Sequence, residues 1–189
     1  MKRLVLMIIP ALICGVVLWF TSSCKKEEIF IPPASQKILF QCYYINWAWG
    51  YSHSGFFIDR EGKVMVYSQS GYDFYPHPDN IDWNFTDNQG NISEQALMEN
   101  MQKTTISNTV IDQGTLKKYA DKIYLVKENS YTEYQNANDM GAFVYVCYQY
   151  NENTGTYKQV TLLQNGDWVR KNNNKYAKQI SDWLQTIEK

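Results

Sequence analysis

Runs of alternating or continuous apolar residues indicate most of the strands in this chain. A β-branched and aromatic run over residues 37–47 is typical of a strand. Two further runs, 55–59 and 63–67, flank the tripeptide Arg-Glu-Gly and predict a hairpin, because glycine readily adopts the left-handed conformation that closes such a turn. Residues 142–150 and 157–164 flank a second turn sequence and predict a second hairpin.

Apolar residues at helical spacing predict three helices. Ser93 can cap a short helix over residues 94–103. A longer segment, 112–127, has apolar side chains on one face of a helix. The last segment, 174–188, carries the clearest stripe, formed by Ala177, Ile180, Trp183, Leu184 and Ile187.

The order of these elements predicts the fold class. Strands come first, helices follow, and a hairpin and a final helix complete the chain, which is typical of an α+β domain. We therefore expect an antiparallel sheet of hairpins packed by about three helices. Residues 70–91 are polar and rich in Gly, Pro, Asp and Asn, so they predict a long loop in which Pro76 and Pro78 prevent regular strand pairing.

The N-terminal 23 residues have the pattern of an export signal. Lys2 and Arg3 precede an apolar run over residues 4–20, and the tripeptide Thr-Ser-Ser stands directly before Cys24. This segment resembles the signal of bacterial lipoproteins, whose cysteine receives a diacylglyceryl group and becomes the new N-terminus. An uncleaved membrane helix is the alternative, because the run nearly reaches the roughly 20 residues that span a bilayer. Small residues followed by cysteine favour the lipoprotein.

The residues after the cysteine bear on sorting. Residues 25–28, Lys-Lys-Glu-Glu, resemble the signal that directs lipoproteins of the Bacteroidota to the outer face of the outer membrane. A solvated charged tether is the alternative interpretation. The expected organisation is a signal peptide over 1–23, a lipidated tether over 24–36 and one globular α+β domain over 37–189. The resemblance implies a membrane-anchored protein of the cell envelope that is exposed at the cell surface.

Two internal blocks carry a second resemblance. Residues 46–51 together with the hairpin that follows, and residues 162–184, look like segments of exported bacterial proteins. This resemblance is consistent with export and implies no activity.

Composition excludes one class of partner. The predicted signal contains two of the 18 basic residues and none of the 19 acidic ones, so the remainder is slightly acidic. No basic patch or Lys/Arg-rich helix is evident, and nucleic-acid binding is therefore not expected. Tyrosine is the most frequent aromatic residue, with 15 copies. Frequent tyrosine is typical both of binding surfaces and of solvent-facing strands.

Residues that could carry catalysis or bind metal are few. The two histidines, His53 and His77, have no clustered Cys or His partner that would complete a zinc site. His53, Ser54 and Asp59 are the residue types of a catalytic triad, but no nucleophile-elbow pattern accompanies them. Phosphate-binding and dinucleotide-binding motifs are also missing. We predict no catalytic residue, metal or cofactor, and an envelope hydrolase using either histidine stays an alternative.

Aromatic residues in the first half of the domain predict a binding surface. Exposed together, they would form a platform for a glycan or a protein ligand. Ordinary core packing is the alternative, and it is favoured for Trp47 and Trp49 in the strand region. A structural or inhibitor protein of the envelope is a further alternative. The candidate binding residues are Trp49, Tyr51, Tyr72, Phe74, Tyr75 and Trp83.

The two cysteines of the domain lie within predicted strands. Cys42 and Cys147 could form a disulfide in an oxidising envelope, provided that their Cα atoms lie within about 7 Å. Buried thiols are the alternative, and the position of both residues in the middle of strands favours it.

Overall fold

The computed structural model describes residues 31–48, 50–70 and 81–187. Within these ranges the chain forms nine strands, three α-helices and one 3-10 helix. In chain order they are β1 Ile38–Asn46, β2 Ser52–Asp59, β3 Lys63–Ser70, β4 Asn91–Ser93, α1 Glu94–Met101, β5 Thr105–Val110, α2 Gln113–Ala120, the 3-10 helix Ile123–Leu125, β6 Tyr131–Gln135, β7 Ala142–Asn151, β8 Thr156–Gly166, β9 Trp168–Asn172 and α3 Lys175–Ile187.

All nine strands belong to one antiparallel sheet. Eight of them follow the order β5-β3-β2-β1-β7-β8-β9-β6, and β4 pairs with the beginning of β8. The predicted hairpins are the β2–β3 and β7–β8 pairs. The predicted α+β class, an antiparallel sheet of hairpins packed by helices, is confirmed.

Helices α2 and α3 cover one face of the sheet. The apolar stripe of α3 packs on β1, β7 and β8, and four of its five predicted members are buried, the fifth, Ile187, being half-buried. Trp183 lies between two aromatic rings, with its centroid 5.2 Å from that of Phe40 and 4.3 Å from that of Tyr119. The predicted buried face of the last helix is therefore confirmed.

The other face is covered by α1 and by residues 81–87. Ser93 caps α1 as predicted, because its hydroxyl oxygen accepts a hydrogen bond from the backbone N–H of Ala96. Two reciprocal bonds join the loop to the helix. The backbone N–H of Asn84 donates to Oδ1 of Asn100 over 2.8 Å, and Nδ2 of Asn100 donates to the Asn84 carbonyl over 2.7 Å.

Four strands and one helix end differ from the prediction. The short strands β4, β5, β6 and β9 were not predicted, and β5 and β6, which form the two edges of the sheet, are largely exposed. Edge strands that expose both faces to solvent need no alternation of apolar and polar residues, so their sequences resemble those of loops. The helix predicted over 112–127 ends at Ala120 and is followed by the 3-10 helix, whose Tyr124 hydroxyl donates to Oε1 of Gln36.

Residues 31–36 are attached to the domain. Gln36 is fully buried, and its Nε2 donates to the carbonyl of Tyr148 over 2.7 Å. The guanidinium of Arg60 donates to the carbonyls of Pro32 and Pro33. The C-terminal part of the segment predicted as a tether over 24–36 therefore contacts the domain. Residues 1–23 and 24–30, which include Cys24, lie outside the described residues.

The cysteines are confirmed as buried thiols. Cys42 and Cys147 lie on the neighbouring strands β1 and β7, in the core beneath α3, and no disulfide joins them. Burial raises the pKa of the Cys147 thiol, so this group stays protonated at neutral pH.

Among the helices that the structure describes, none has the length and apolarity needed to cross a bilayer.

Candidate functional site

A small cavity lies between the sheet and the loop over residues 81–87. Its volume is about 90 Å³. Two larger depressions of about 210 and 260 Å³ lie beside α2 and α3. Each of those contains a surface ion pair, and neither is lined by a buried polar atom without a partner in the described part of the chain. The cavity differs from both depressions in this respect, and it is the candidate site.

Strand alternation brings the cavity wall together. Gln41, Tyr43 and Ile45 alternate along β1, so their side chains point to the same face of the sheet. His53 of β2 is paired with Ile45 across the antiparallel ladder, and directly opposed residues share a face. Tyr148 lies on the same face of β7. The wall is therefore built from strands that are distant in sequence.

A chain of buried hydrogen bonds crosses this wall from β7 to β2. The Tyr148 hydroxyl donates to Oε1 of Gln41 over 2.5 Å. Nε2 of the same amide donates to the hydroxyl oxygen of Tyr67 over 2.7 Å. The Tyr67 hydroxyl hydrogen is thus available to Nε2 of His53, which lies 3.1 Å away. The chain fixes the orientation of the imidazole, because each of its buried groups has a defined partner.

One atom of His53 has no partner in this arrangement. With the Tyr67 hydrogen directed at Nε2, the neutral imidazole carries its hydrogen on Nδ1, whereas the opposite tautomer makes Nδ1 an acceptor. Nδ1 is buried and makes no hydrogen bond to the described residues. The side chain is only 2% exposed, and an unpaired buried donor costs about 1–3 kcal/mol. His53 thus lines the cavity and carries an unpartnered, buried polar atom beside it.

Aromatic rings enclose the imidazole. The Phe85 ring stacks on His53 with a centroid distance of 5.8 Å. Tyr43 and Trp83 meet it edge-on at 5.4 and 5.0 Å. Burial among these rings lowers the pKa of His53 from 6.5 to about 4, because the charged imidazolium is poorly solvated there. His53 is therefore neutral at neutral pH.

The cavity is uncharged. None of the described residues that line it is Asp, Glu, Lys or Arg. Burial raises the pKa of both Tyr43 and Tyr148, which keeps these hydroxyls protonated. The hydrogen-bonding groups of the wall are thus neutral amides, hydroxyls and one neutral imidazole.

Two neighbouring aromatic rings are exposed beside the cavity: Phe85 lines it, and Trp47 contacts Phe85. Trp47 is 40% exposed and Phe85 is 42% exposed. Their ring centroids are 6.2 Å apart and their planes are inclined by 46°. Trp47 also packs on Tyr51, with a centroid distance of 4.9 Å. The expectation that Trp47 belongs to the core is wrong, since its ring forms part of the surface.

Two of the six candidate binding residues lie in the described part of the structure, and four lie outside it. Tyr51 and Trp83 are buried, at 5% and 8% exposure; Tyr51 packs on Trp47, and Trp83 lines the cavity and meets His53 edge-on. They are therefore not part of an exposed platform. Trp49, Tyr72, Phe74 and Tyr75 lie outside the described residues, so their role stays a prediction.

Several residues of the site were not predicted from the sequence. Gln41 is a polar residue inside an apolar strand, which was the available signal that one face of β1 has a polar partner. Phe85 lies in a polar loop with no periodicity, and its place at the mouth depends on the bonds between Asn84 and Asn100. Gln41 links Tyr67 and Tyr148 by hydrogen bonds, and no pattern of neighbouring residues in the sequence indicates this link.

The residue types of a triad are not brought together. Ser54 follows His53 in β2, so its side chain points to the opposite face of the sheet. Asp59 lies at the far end of the strand, where its carboxylate accepts from the backbone N–H groups of Glu61 and Lys63. His77 lies outside the described residues. Within the described ranges no three His, Cys, Asp or Glu residues are grouped in a way that could hold a metal ion.

Fold and site together define an α+β domain with an uncharged, aromatic-lined cavity. No protein-family model matches the chain, and neither a curated protein nor a solved structure matches it.

Proposed function

We propose that this protein is a lipid-anchored lipoprotein of the outer membrane, exposed at the cell surface, that binds a small uncharged ligand group in the cavity beside His53. The observation that carries the proposal is the unpartnered Nδ1 of a buried, neutral histidine in a wall without charged groups. Native structures satisfy most buried polar groups, so an exception calls for a reason. A ligand acceptor atom at Nδ1 would supply that reason.

The position of the site relative to the N-terminus supports the proposal. Residues 31–36 lie near the Ile38 end of β1, whereas Trp47, which contacts the cavity-lining Phe85, lies just beyond the other end. Nine strand residues separate these ends by about 26 Å. With a lipid on Cys24, the membrane would lie near the first end. The mouth of the cavity would then face away from the bilayer, where ligands are accessible.

The anchor can be tested by replacing Cys24 with serine. We expect Cys24→Ser to abolish lipid labelling and to leave the signal segment uncleaved, because the thiol is the acceptor of the diacylglyceryl group. Metabolic labelling with a fatty acid and the mass of the purified chain measure both effects. Changing Lys26, Glu27 and Glu28 to alanine is the matched control. This variant should keep the lipid and its membrane association but become less accessible to protease at the cell surface.

Two outcomes would contradict the anchoring part of the proposal. Persistent lipid labelling of Cys24→Ser would show that another residue is modified. Unchanged protease access in the triple variant would show that residues 25–28 form only a charged spacer.

Ligand binding can be tested with a matched pair of small probes on the full-length chain. Acetamide and acetate have nearly the same shape, but only acetamide is uncharged. We expect millimolar acetamide to shift the His53 ring signals in nitrogen-15 NMR spectra, whereas acetate does not, because burying an unpaired carboxylate is costly. His77 provides a second ring signal in the same spectra.

Two variants keep this test decisive. His53→Phe removes Nδ1 and should abolish the acetamide response, which is then followed on backbone signals of neighbouring residues. Phe85→Ala removes the ring that stacks on His53, should weaken the acetamide response, and serves if His53→Phe does not fold. A response to acetate equal to that of acetamide, or no response to acetamide, would refute binding of an uncharged group at this site.

A further inference from the structure

We infer, on the basis of the proposed function, that the ligand is an uncharged saccharide whose ring contacts Trp47 and Phe85 while one exocyclic group enters the cavity and accepts a hydrogen bond from Nδ1 of His53.

The size of the cavity determines how much of a ligand can enter. A volume of about 90 Å³ corresponds to roughly three water molecules at about 30 Å³ each. Sites that enclose a whole small ligand usually have about 300–1,000 Å³. Only a substituent of a few heavy atoms therefore fits inside. The rest of the ligand must lie at the mouth, against the exposed rings of Trp47 and Phe85.

The geometry of the mouth favours a non-planar ring. The Trp47 and Phe85 planes are inclined by 46°, so they do not form a parallel slot for a flat heterocycle. A saccharide ring has C–H groups on its faces, and these can contact two inclined aromatic surfaces. Both rings are also supported from behind, Trp47 by Tyr51 and Phe85 by His53. Rings held in this way lose little side-chain entropy when a ligand binds.

The uncharged wall restricts the ligand class further. Free amino acids, phosphorylated sugars and carboxylates would have to bury a charge without a counter-charge, which is strongly unfavourable. Saccharide hydroxyl and acetamido groups are neutral and carry acceptor oxygens. Around His53 the wall also offers the amide of Gln159, whose Nε2 donates to the Tyr43 hydroxyl over 3.2 Å. Neutral donors and acceptors of this kind match neutral ligand groups.

An array of neutral, sialylated and sulfated glycans, probed with the full-length chain, tests the inference. We expect retention on neutral glycans and weaker retention on their anionic derivatives when the charged group is terminal. Trp47→Ala and Phe85→Ala should each weaken binding of the best neutral glycan about tenfold, in line with the contribution of an aromatic contact. Trp168→Ala, which removes an exposed tryptophan of β9, is the matched control and should leave binding unchanged.

Binding should also be constant between about pH 5.5 and pH 9. The titratable groups that line the cavity are His53, Tyr43 and Tyr148. The pKa of His53 is about 4 and those of the tyrosines are raised, so no lining group changes charge in this interval. A strong pH dependence in this range would overturn the assignment of an uncharged wall.

The remaining outcomes separate the class of ligand from the existence of the site. One outcome is that acetamide shifts the His53 signals while neutral nucleosides or peptides bind and no glycan does. In that case the assignment of a saccharide ligand is wrong, and the cavity remains a binding site. If glycans bind and neither Trp47→Ala nor Phe85→Ala weakens them, the saccharide is bound elsewhere and the inference fails. If neither acetamide nor any glycan binds, the proposed function itself fails.

Discussion

Replacing Trp183 with alanine is expected to lower the free energy of unfolding by about 3–5 kcal/mol, which is a large part of the stability of a domain of this size. Trp183 lies on the buried face of α3, and its ring contacts Phe40 edge-on and stacks on Tyr119. Truncation removes these contacts and leaves a cavity that the strands beneath it cannot close. Denaturant unfolding of the full-length chain measures the change.

Lys178→Ala is the matched control on the same helix. Lys178 is exposed, and its ammonium pairs with Asp182 one turn further on. Exposed pairs at this spacing contribute only about 0.3–0.5 kcal/mol, so the unfolding midpoint should hardly move. If Trp183→Ala unfolds like the parent but no longer binds a partner, α3 presents a functional surface, and the buried face assigned to it is wrong.

The second large effect is expected for Gly55→Ala. Gly55 lies in β2, opposite Tyr43 of β1, where the two backbones approach closely. An added Cβ would lie 2.2 Å from the carbonyl oxygen of Cys42 and 2.7 Å from Cα of Tyr43. Since these are backbone atoms of a central strand, relief requires displacement of the ladder. We expect a loss of about 3 kcal/mol in the free energy of unfolding.

Gly114→Ala provides the control for this change. Gly114 lies in the first turn of α2, and its added Cβ would meet only the side-chain oxygen of Asp112, at 3.3 Å. Alanine is also a better helix former than glycine by about 0.5–1 kcal/mol, so the free energy of unfolding of this variant should equal or slightly exceed that of the parent. Equal unfolding midpoints for the two variants would contradict the close approach of β1 and β2 at Gly55.

Local patterns were sufficient for the elements that have one buried face and clear ends. The stripe of α3, the Ser93 cap of α1 and the two hairpins were all predicted, and the structure confirms them. In each case the information lies within a single helix or within one pair of strands. The export and anchoring motif around Cys24 is equally local, and it stays a prediction.

Edge strands show where local patterns end. β5 pairs with β3 along one side only and is largely exposed, so it has no apolar alternation to read. Its strand conformation depends on backbone hydrogen bonds to a neighbour that is distant in sequence. Similarly, Pro32, Pro33 and Gln36 look like part of an extended tether, but Arg60 and Tyr148 bind them to the domain.

The sequence by itself determined the fold class, the two hairpins, the covering helices and the high aromatic content of the chain. Only the tertiary structure decided which aromatic rings are exposed and which polar groups meet. Trp83 and Tyr51 are buried while Trp47 and Phe85 reach the surface. Tyr148, Gln41, Tyr67 and His53 form one hydrogen-bond chain across four neighbouring strands of the sheet. The physical reason is that periodicity reports the burial of a face, whereas a site depends on partners that only sheet pairing brings within hydrogen-bond distance.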